Sequence, residues 1–446
     1  MKFRHLSALL MTVLLVVSCS LAATAEEKTT LSIWLTPQWQ GVFSSDEEGA
    51  DYDSFLRYAA QRFTQEINSN VEIEVQVITG EQRPEKLNTC IQTKTLPDMF
   101  FDSSFTLLDY VHQGLVVPLD DIISEESRED IPQGIWENVT IANKVYFYPF
   151  THMPGTLCYN AEMFEQAGLT DYIGGQYDII TWSVDDFNYI LTTLKEKFPN
   201  QYPLTMFCGS FAGDTWNLSW LRMFGCEYYD DNGKLVVNNE AGVKALEYMV
   251  NLYQSGLLAP GVETLTSNDA IALFANQMAA ISVTNSVLFG NLLSDMASGI
   301  SPEFDARLAN TPGDPHPNTF TYVTGAMAFN TGDAKKIELS KQFIKFLSED
   351  PELVVASQNG MPVRASVEKQ VEQAVPFLAA QNENAQYMYN FSGGVSGYTE
   401  LRYALFPELQ AAFTGEKTPK QALDDFVAAG NEIIARTRAE SLAYED

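Results

Sequence analysis

One stretch, Val145 to Thr170, most restricts what this chain can build. It reads VYFYPFTHMPGTLCYNAEMFEQAGLT. Tyr146, Tyr148 and Phe150 alternate, as on one face of a β-strand. Pro149 interrupts the run, and Pro154–Gly155 follows it. Proline supplies no ladder donor and glycine frees φ, so a simple central strand cannot continue through both. A second apolar strand, Thr156 to Tyr159, resumes at once. Asn160 then stands as N-cap of a helix from Ala161 to Ala167, stopped by Gly168. Strand, break, strand and helix suit a chain crossing between two α/β lobes. They suit equally a loop beside one strand of a single domain.

The flanking segments alternate in the same way. LSIWL, Leu31 to Leu35, reads as a strand, and Phe55 to Ile67 as an amphipathic helix. Val71, Ile73, Val75 and Val77 share one face of the next strand, with Glu72, Glu74 and Gln76 on the other. Strand, helix, strand is a βαβ unit and implies a parallel sheet. Pro84 to Lys94 is a further helix. Leu96 to Phe101 is a buried strand that ends at Asp102-Ser103-Ser104. Beyond the crossing stretch, Ser183 caps a helix from Val184 to Lys197. Pro203 to Phe207 is a strand and Trp216 to Phe224 a helix. Asp231-Asn232-Gly233 turns into a strand from Lys234 to Val237. Ala241 to Tyr253 is a helix and Ala279 to Val283 a strand, a candidate second crossing. Tyr322 to Phe329 is another strand, with a third crossing near Asn330. Ala334 to Leu347 and the segment opening at Thr418–Pro419 are helices. A length of 446 residues allows two or three domains.

Charge removes several functions. Lys and Arg number 27 against 58 Asp and Glu, a formal net charge of −31. A polyanion repels phosphate backbones, which argues against nucleic acid as a partner, and repels anionic membrane surfaces. Membrane attachment then needs an anchor, and the N-terminus offers one. Lys2 and Arg4 precede an apolar run from Leu6 to Val17 and then Ser18–Cys19, the pattern of an export signal. The run is shorter than the roughly 20 residues of a membrane-spanning helix. Val16-Val17-Ser18-Cys19 resembles a bacterial lipobox, with Cys19 lipidated after removal of residues 1–18. Cleavage after Ala23-Thr24-Ala25 is the rival reading. Cys90, Cys158, Cys208 and Cys226 form no CxxC pair and no metal-ligand spacing. A Cys208–Cys226 disulfide and buried free thiols both fit an exported chain.

With these pieces in place the chain resembles the bacterial extracellular solute-binding proteins of the sugar-binding type, the maltose-binding-protein-like components of ABC importers. LSIWL, LPDMFFDSS, GLVVPLDDII, VYFYPF with LCYNAEMFEQAGL, and TWSVDDF carry the likeness in the first half. FGCEYYDDNGKLVVNN, LFANQMAAISV, TGAMAFN, KIELSKQFIKFLSED, NGMPVR and GEKTPKQALDDF follow in the family's order. The resemblance implies an α/β fold of two periplasmic-binding-protein-like lobes, a hinge of about three crossing segments and an interlobe cleft. It places residues 29–150 and 284–331 in the first lobe and 151–283 and 332–446 in the second, behind a tether at 19–28. It implies a carbohydrate ligand, ABC permease subunits and a lipid-anchored membrane position as partners, a monomer, and no cofactor.

A sugar offers an apolar face to rings and a rim of hydroxyls to oxygen and amide groups. Loops after strands are the places to look. Gln38, Trp39 and Gln40 follow the first strand, where the family places polar contacts. Asp102 and Ser103 end another strand. Asp102 stands where maltose-binding relatives often carry an aromatic, which puts maltodextrin specificity in doubt. Thr151 and His152 lie in the crossing stretch. Asp214 and Trp216 match the sugar-stacking region of the second lobe, with Trp220 as core or companion. Asn285 follows the AAISV strand in place of the usual glycine and aromatic. Tyr322 and Gly325 belong to the TGAMAFN segment, and Tyr403 and Arg364 are further candidates. The expected protein does no chemistry: an extracytoplasmic, anchored carrier that captures a carbohydrate of oligosaccharide length and delivers it to an importer. A non-sugar solute such as a peptide or polyamine is one alternative. An exported glycoside hydrolase is another, although no nucleophile elbow, HExxH or P-loop is present.

Overall fold

The computed structural model describes residues 28–39, 42–43, 52–79, 81–357, 361–374, 376–391, 395 and 397–445. The signal segment 1–18, Cys19, the tether up to residue 27 and Gln40 lie outside the described residues. In chain order the strands are β1 (Thr29–Leu35), β2 (Val71–Val77), β3 (Met99–Ser103), β4 (Thr140–Ile141) and β5 (Lys144–Val145). β6 (Tyr148–His152), β7 (Gly155–Asn160), β8 (Ile179–Ile180), β9 (Tyr202–Leu204) and β10 (Ala279–Asn285) follow. β11 (Ala306–Ala309), β12 (Thr319–Phe320), β13 (Val323–Ala328), β14 (Met361–Pro362) and β15 (Met388–Tyr389) complete them.

Among the described residues two large sheets form, beside the two-stranded pairs β4-β5 and β12-β15. The first has six strands in the order β14-β6-β13-β3-β1-β2, the second five in the order β8-β11-β7-β10-β9. β1 pairs parallel with β2 across the helix Ser54–Arg62, so the βαβ unit read from the alternation is present. Leu31, Ile33 and Leu35 are fully buried and lie opposite Ile73, Val75 and Val77. The chain leaves the first sheet between β6 and β7, over Met153–Pro154, because consecutive strands go to different sheets. Pro149 sits where the ladder slips. Thr324 opposes Thr151 and Gly325 opposes Pro149, so Phe150 has no partner opposite it. A residue without an N–H cannot hold a regular pairing, and the bulge absorbs it. Asn160 caps the next helix, Ala161–Gln166, its Oδ1 accepting from Met163 N at 3.1 Å.

The other crossings come later than expected. β10 runs on through Asn285 into a helix, Ser286–Ala297, whose Phe289 and Leu292 pack with Leu308 of β11 beside the second sheet. The second crossing lies between β12 and β13, and the third just after β14, at Val363–Arg364. Helix Ala334–Glu349 joins the first core, where Phe343 meets Phe63 edge-on at 5.4 Å. Residues 286–309 therefore belong with the second sheet and 334–362 with the first, a correction to the boundaries at 284 and 332. Periodicity shows that a helix buries a face; it does not show which sheet receives it. Lys234 to Val237 forms no strand, only a single bridge from Leu235 to Tyr229. The four described cysteines are free thiols, so Cys208 and Cys226 are unpaired with each other. Trp220 is core, beside Phe187.

The crossings are stitched together. Met153 N donates to Tyr322 O at 2.8 Å, and the Thr151 and Thr324 hydroxyls meet at 2.5 Å. His152 Nδ1 lies 3.3 Å from Thr321 Oγ1. Burial pushes the His152 imidazole down to about 4. In the unfolded chain its pKa is about 6.5, so the unfolded state takes up the proton first as the pH falls. Stability contributed by neutral His152 is thus present above pH 6.5 and withdrawn between about 6.5 and 4. The loss is roughly 2–3 kcal/mol by pH 4.5. Urea unfolding at pH 7.5 and 4.5 checks this: His152→Gln should flatten that part of the pH dependence, and an unchanged slope contradicts the assignment.

Candidate functional site

A cavity of about 290 Å³ opens where the two lobes face each other. Clefts at the strand ends of α/β sheets collect loops from several elements, which is why ligands bind there. Thr36, Pro37 and Gln38 reach it from the loop after β1, Thr79 from that after β2, and Asp102, Ser103 and Phe105 from the end of β3. The second lobe contributes Gly213 to Trp216 at the start of helix Asp214–Leu221, then Asn268, Asn285 and Leu288. Met153, Phe320, Tyr322 and Thr324 enter from the crossings.

Each lobe brings one buried ion pair to this gap. In the first, Arg83 Nη1 donates to both oxygens of Asp102, at 2.6 and 2.5 Å. In the second, Arg402 Nη2 donates to Asp214 Oδ1 at 2.7 Å, and the Tyr398 hydroxyl donates to Oδ2 at 2.5 Å. Burial, with the Asp214 carboxylate beside it, lifts the Tyr398 phenol far above its usual range, so it remains a protonated donor. Burial raises the Tyr322 phenol as well.

Rings run along the same seam. Trp216 meets Phe320 edge-on at 5.4 Å, Phe320 stacks on Tyr322 at 6.0 Å, and Tyr322 contacts Phe105 at 4.6 Å. Trp216 is anchored by its Nε1, which donates to Thr284 O at 2.9 Å. Gly213, with φ of +80°, makes room for that ring: a Cβ there would lie 2.6 Å from it. Gln38 adds a contrasting feature. It is 5% exposed, and its Nε2 has no partner among the described residues. An orphan buried donor costs about 1–3 kcal/mol unless something accepts from it.

Of the residues singled out by sequence, Gln38, Asp102, Ser103, Asp214, Trp216, Asn285 and Tyr322 line the cavity. Asn285 is also the N-cap of helix Ser286–Ala297, its Oδ1 accepting from Leu288 N at 2.9 Å. Trp39 does not reach the gap. The backbone turns to φ +60° there, and the ring enters the first-lobe core against Phe55 and Phe101. Its Nε1 donates to Ser357 O. Thr151 and His152 are occupied in the hinge, apart from the cavity lining. Gly325 is a packing position, since a Cβ would strike the Tyr148 carbonyl oxygen. Arg364 is buried in the first lobe against Asp130, Ser127 and Tyr148. Gln40 and the lipidation candidate Cys19 lie outside the described residues.

Sequence reasoning missed Arg83, Phe105, Phe320 and Arg402. Arg83 opens a helix, Arg402 sits within one, and only their distant partners mark them as site residues. A second cavity of about 430 Å³ shares Arg83 and Arg402 and extends to Asp109, Phe211 and the exposed Tyr403. Among the described residues no three His, Cys, Asp or Glu side chains group to hold a metal. No helix among them is long and apolar enough to cross a membrane.

The family described as bacterial extracellular solute-binding protein matches residues 46–352. The arabinooligosaccharide-binding protein of Bacillus subtilis strain 168 is 24% identical over 343 residues, which cover 70% of this chain and 73% of the relative. Among solved structures, a Thermotoga lettingae ABC transporter solute-binding protein bound with α-D-tagatose superimposes with a TM-score of 0.76. Its identity is 18%, over 91% of this chain and 100% of the other. A Listeria monocytogenes ABC substrate-binding protein in complex with cycloalternan gives 0.75, at 18% identity, over 92% and 99%. These likenesses show the same two-lobe fold.

The Asp214 pair sets a stability test. Arg402→Met leaves a carboxylate buried with only the Tyr398 donor, and should cost about 3–5 kcal/mol in urea unfolding. Asp214→Leu combined with Arg402→Met should recover most of that loss, because no charge is then stranded. A single variant as stable as the parent contradicts the pairing.

Proposed function

The chain belongs to the bacterial extracellular solute-binding proteins, and we propose that its solute is a carbohydrate, of oligosaccharide length, gripped between the lobes and handed to an ABC importer. One observation carries this reading: a seam of rings from Trp216 through Phe320 and Tyr322 faces Thr36, Gln38, Asp102 and Ser103 across one gap. Sugar faces pack on rings, and sugar hydroxyls both give and take hydrogen bonds. The buried Gln38 amide has a donor to give, and the Asp102 and Asp214 carboxylates are charged acceptors held in place. A relative named for arabinooligosaccharide binding, and neighbours bound to tagatose and cycloalternan, support the same class of ligand.

The charge balance favours a neutral solute over a polyamine. Both cleft carboxylates already carry their own arginine, which leaves no uncompensated negative charge for an ammonium. The same pairs weigh against hydrolysis. A glycoside hydrolase needs one carboxyl able to give up a proton to the leaving group, whereas Asp102 and Asp214 both accept from guanidinium groups. Cys19 is the lipidated residue that anchors the carrier to the cell membrane on its extracytoplasmic side, a reading supported by the Val16-Val17-Ser18-Cys19 run. Cys19→Ser should move the protein from the membrane fraction to the soluble exported fraction; an unchanged distribution overturns the anchor.

A thermal-shift screen against mono- and oligosaccharides tests the ligand class, since tight ligand raises the melting temperature by mass action. At least one oligosaccharide should stabilise the protein and be recovered intact after incubation. Cleavage would make it an enzyme, and no response to any sugar would sink the reading. With a hit in hand, Gln38→Met should weaken binding about tenfold while leaving stability equal or higher, because the orphan amide is gone. Unchanged affinity would remove Gln38 from the site.

A further inference from the structure

We propose that Asp109 is a cap supplied across the lobes: a first-lobe carboxylate that completes the N-terminus of a second-lobe helix when the lobes meet, and so sets the closed fraction without touching the ligand.

Asp109 lies on the short helix Leu107–His112, whose Leu107 and Tyr110 belong to the first-lobe core. Its carboxylate leaves that core and crosses the seam. Oδ1 accepts from Gly397 N at 3.1 Å, and Oδ2 accepts from Thr399 Oγ1 at 3.0 Å. Both partners stand at the start of helix Tyr398–Thr414, which packs in the second-lobe core through Leu401, Leu405 and Leu409. The first N–H groups of any helix lack intrahelical acceptors and attract negative charge. Most helices meet this need with a Ser, Thr, Asp or Asn of their own at the N-cap. This helix has Gly397 there, at φ +81°, with no side chain to fold back. A side chain at that position would collide with Ile433 and Thr437. A local cap is therefore excluded, and the other lobe provides it.

The capped turn leads directly to the cleft. Tyr398 and Arg402, one turn apart on this helix, are the two residues that hold Asp214. The same first-lobe segment carries Phe105, which stacks on Tyr398 at 5.5 Å and lies under the Arg402 guanidinium. Asp109 and Phe105 thus engage the one turn of the second lobe that sets up its half of the site. Burial pushes the Asp109 carboxyl above its usual range, against the pull of its two donors. Water can take the place of the Gly397 and Thr399 donors when the seam opens, which suits a reversible latch. Asp109 is a positioning residue here and acts on ligand only through Tyr398, Arg402 and the lobe equilibrium.

Interlobe distances in the ligand-free full chain test this. Nitroxide labels at Ile67→Cys and Ile300→Cys, exposed and on different lobes, are read in a Cys90→Ser background. Asp109→Ala should shift the distance distribution towards the longer, open population. Asp109→Asn, which keeps one acceptor, should fall between it and the parent, and Thr399→Val should give a smaller shift in the same direction. A distribution for Asp109→Ala that superimposes on the parent's overturns the latch. If Asp109→Ala does not fold, Thr399→Val decides alone, and its superposition on the parent is then the contrary result. Because no ligand is present in this measurement, its failure leaves the carbohydrate reading standing.

Discussion

A polypeptide that passes three times between two sheets ties two halves together while leaving each with its own sheet. Each passage over Met153–Pro154, between β12 and β13, and at Val363–Arg364 keeps the halves adjacent but separately cored. Polar groups at the facing strand ends must then be satisfied within their own half, or be left stranded whenever the halves part. The two ion pairs obey that rule. Arg83 and Asp102 travel together in the first lobe, Arg402 and Asp214 in the second. Neither pair is broken by opening, so the desolvation cost of an unpaired buried charge never enters the motion. Gln38 Nε2 follows a different rule: it is buried without a partner among the described residues, and a ligand acceptor would complete it.

This division of labour explains how the site can be both preformed and mobile. The two ion pairs are fixed inside their own lobes, so their geometry does not depend on closure, whereas the row of rings spans the seam where Phe105 of the first lobe meets Tyr322 and Tyr398. What closure changes is which half faces which. A ligand that contacts both halves favours the closed arrangement by its differential affinity for that state and by nothing else. The hydrogen bonds that do cross the seam, such as those of Asp109, then belong to the equilibrium itself. They alter the population that is competent to bind, and apparent affinity follows that population.

Much of the fold was legible from local signals. The proline and glycine punctuation of 149–155, the Asn160 cap and the alternation of β2 each depend on neighbours a few residues away, and each produced the element expected. The lobe assignment of Ser286–Ala297 and Ala334–Glu349 was not legible, because amphipathic periodicity is silent about which apolar surface receives the face. The site divides along the same line. Gln38, Asp102 and Tyr322 lie at or just beyond strand ends, and Trp216 lies in the segment the family resemblance singled out, so sequence could place them near the gap. Trp39 sits beside Gln38 yet turns the other way, on one backbone torsion with positive φ that no pattern in the sequence marks. Arg83 and Arg402 were invisible because they lie 19 and 188 positions from the carboxylates that define them.

The central claim is that a solute is gripped in the seam and draws the halves together. Small-angle scattering on the protein, titrated with the saccharide that most raises its melting temperature, tests it most directly. The account predicts a saturable fall in radius of gyration that follows occupancy, with the sugar recovered uncut. Saturable binding with an unchanged radius would place the ligand elsewhere and contradict it.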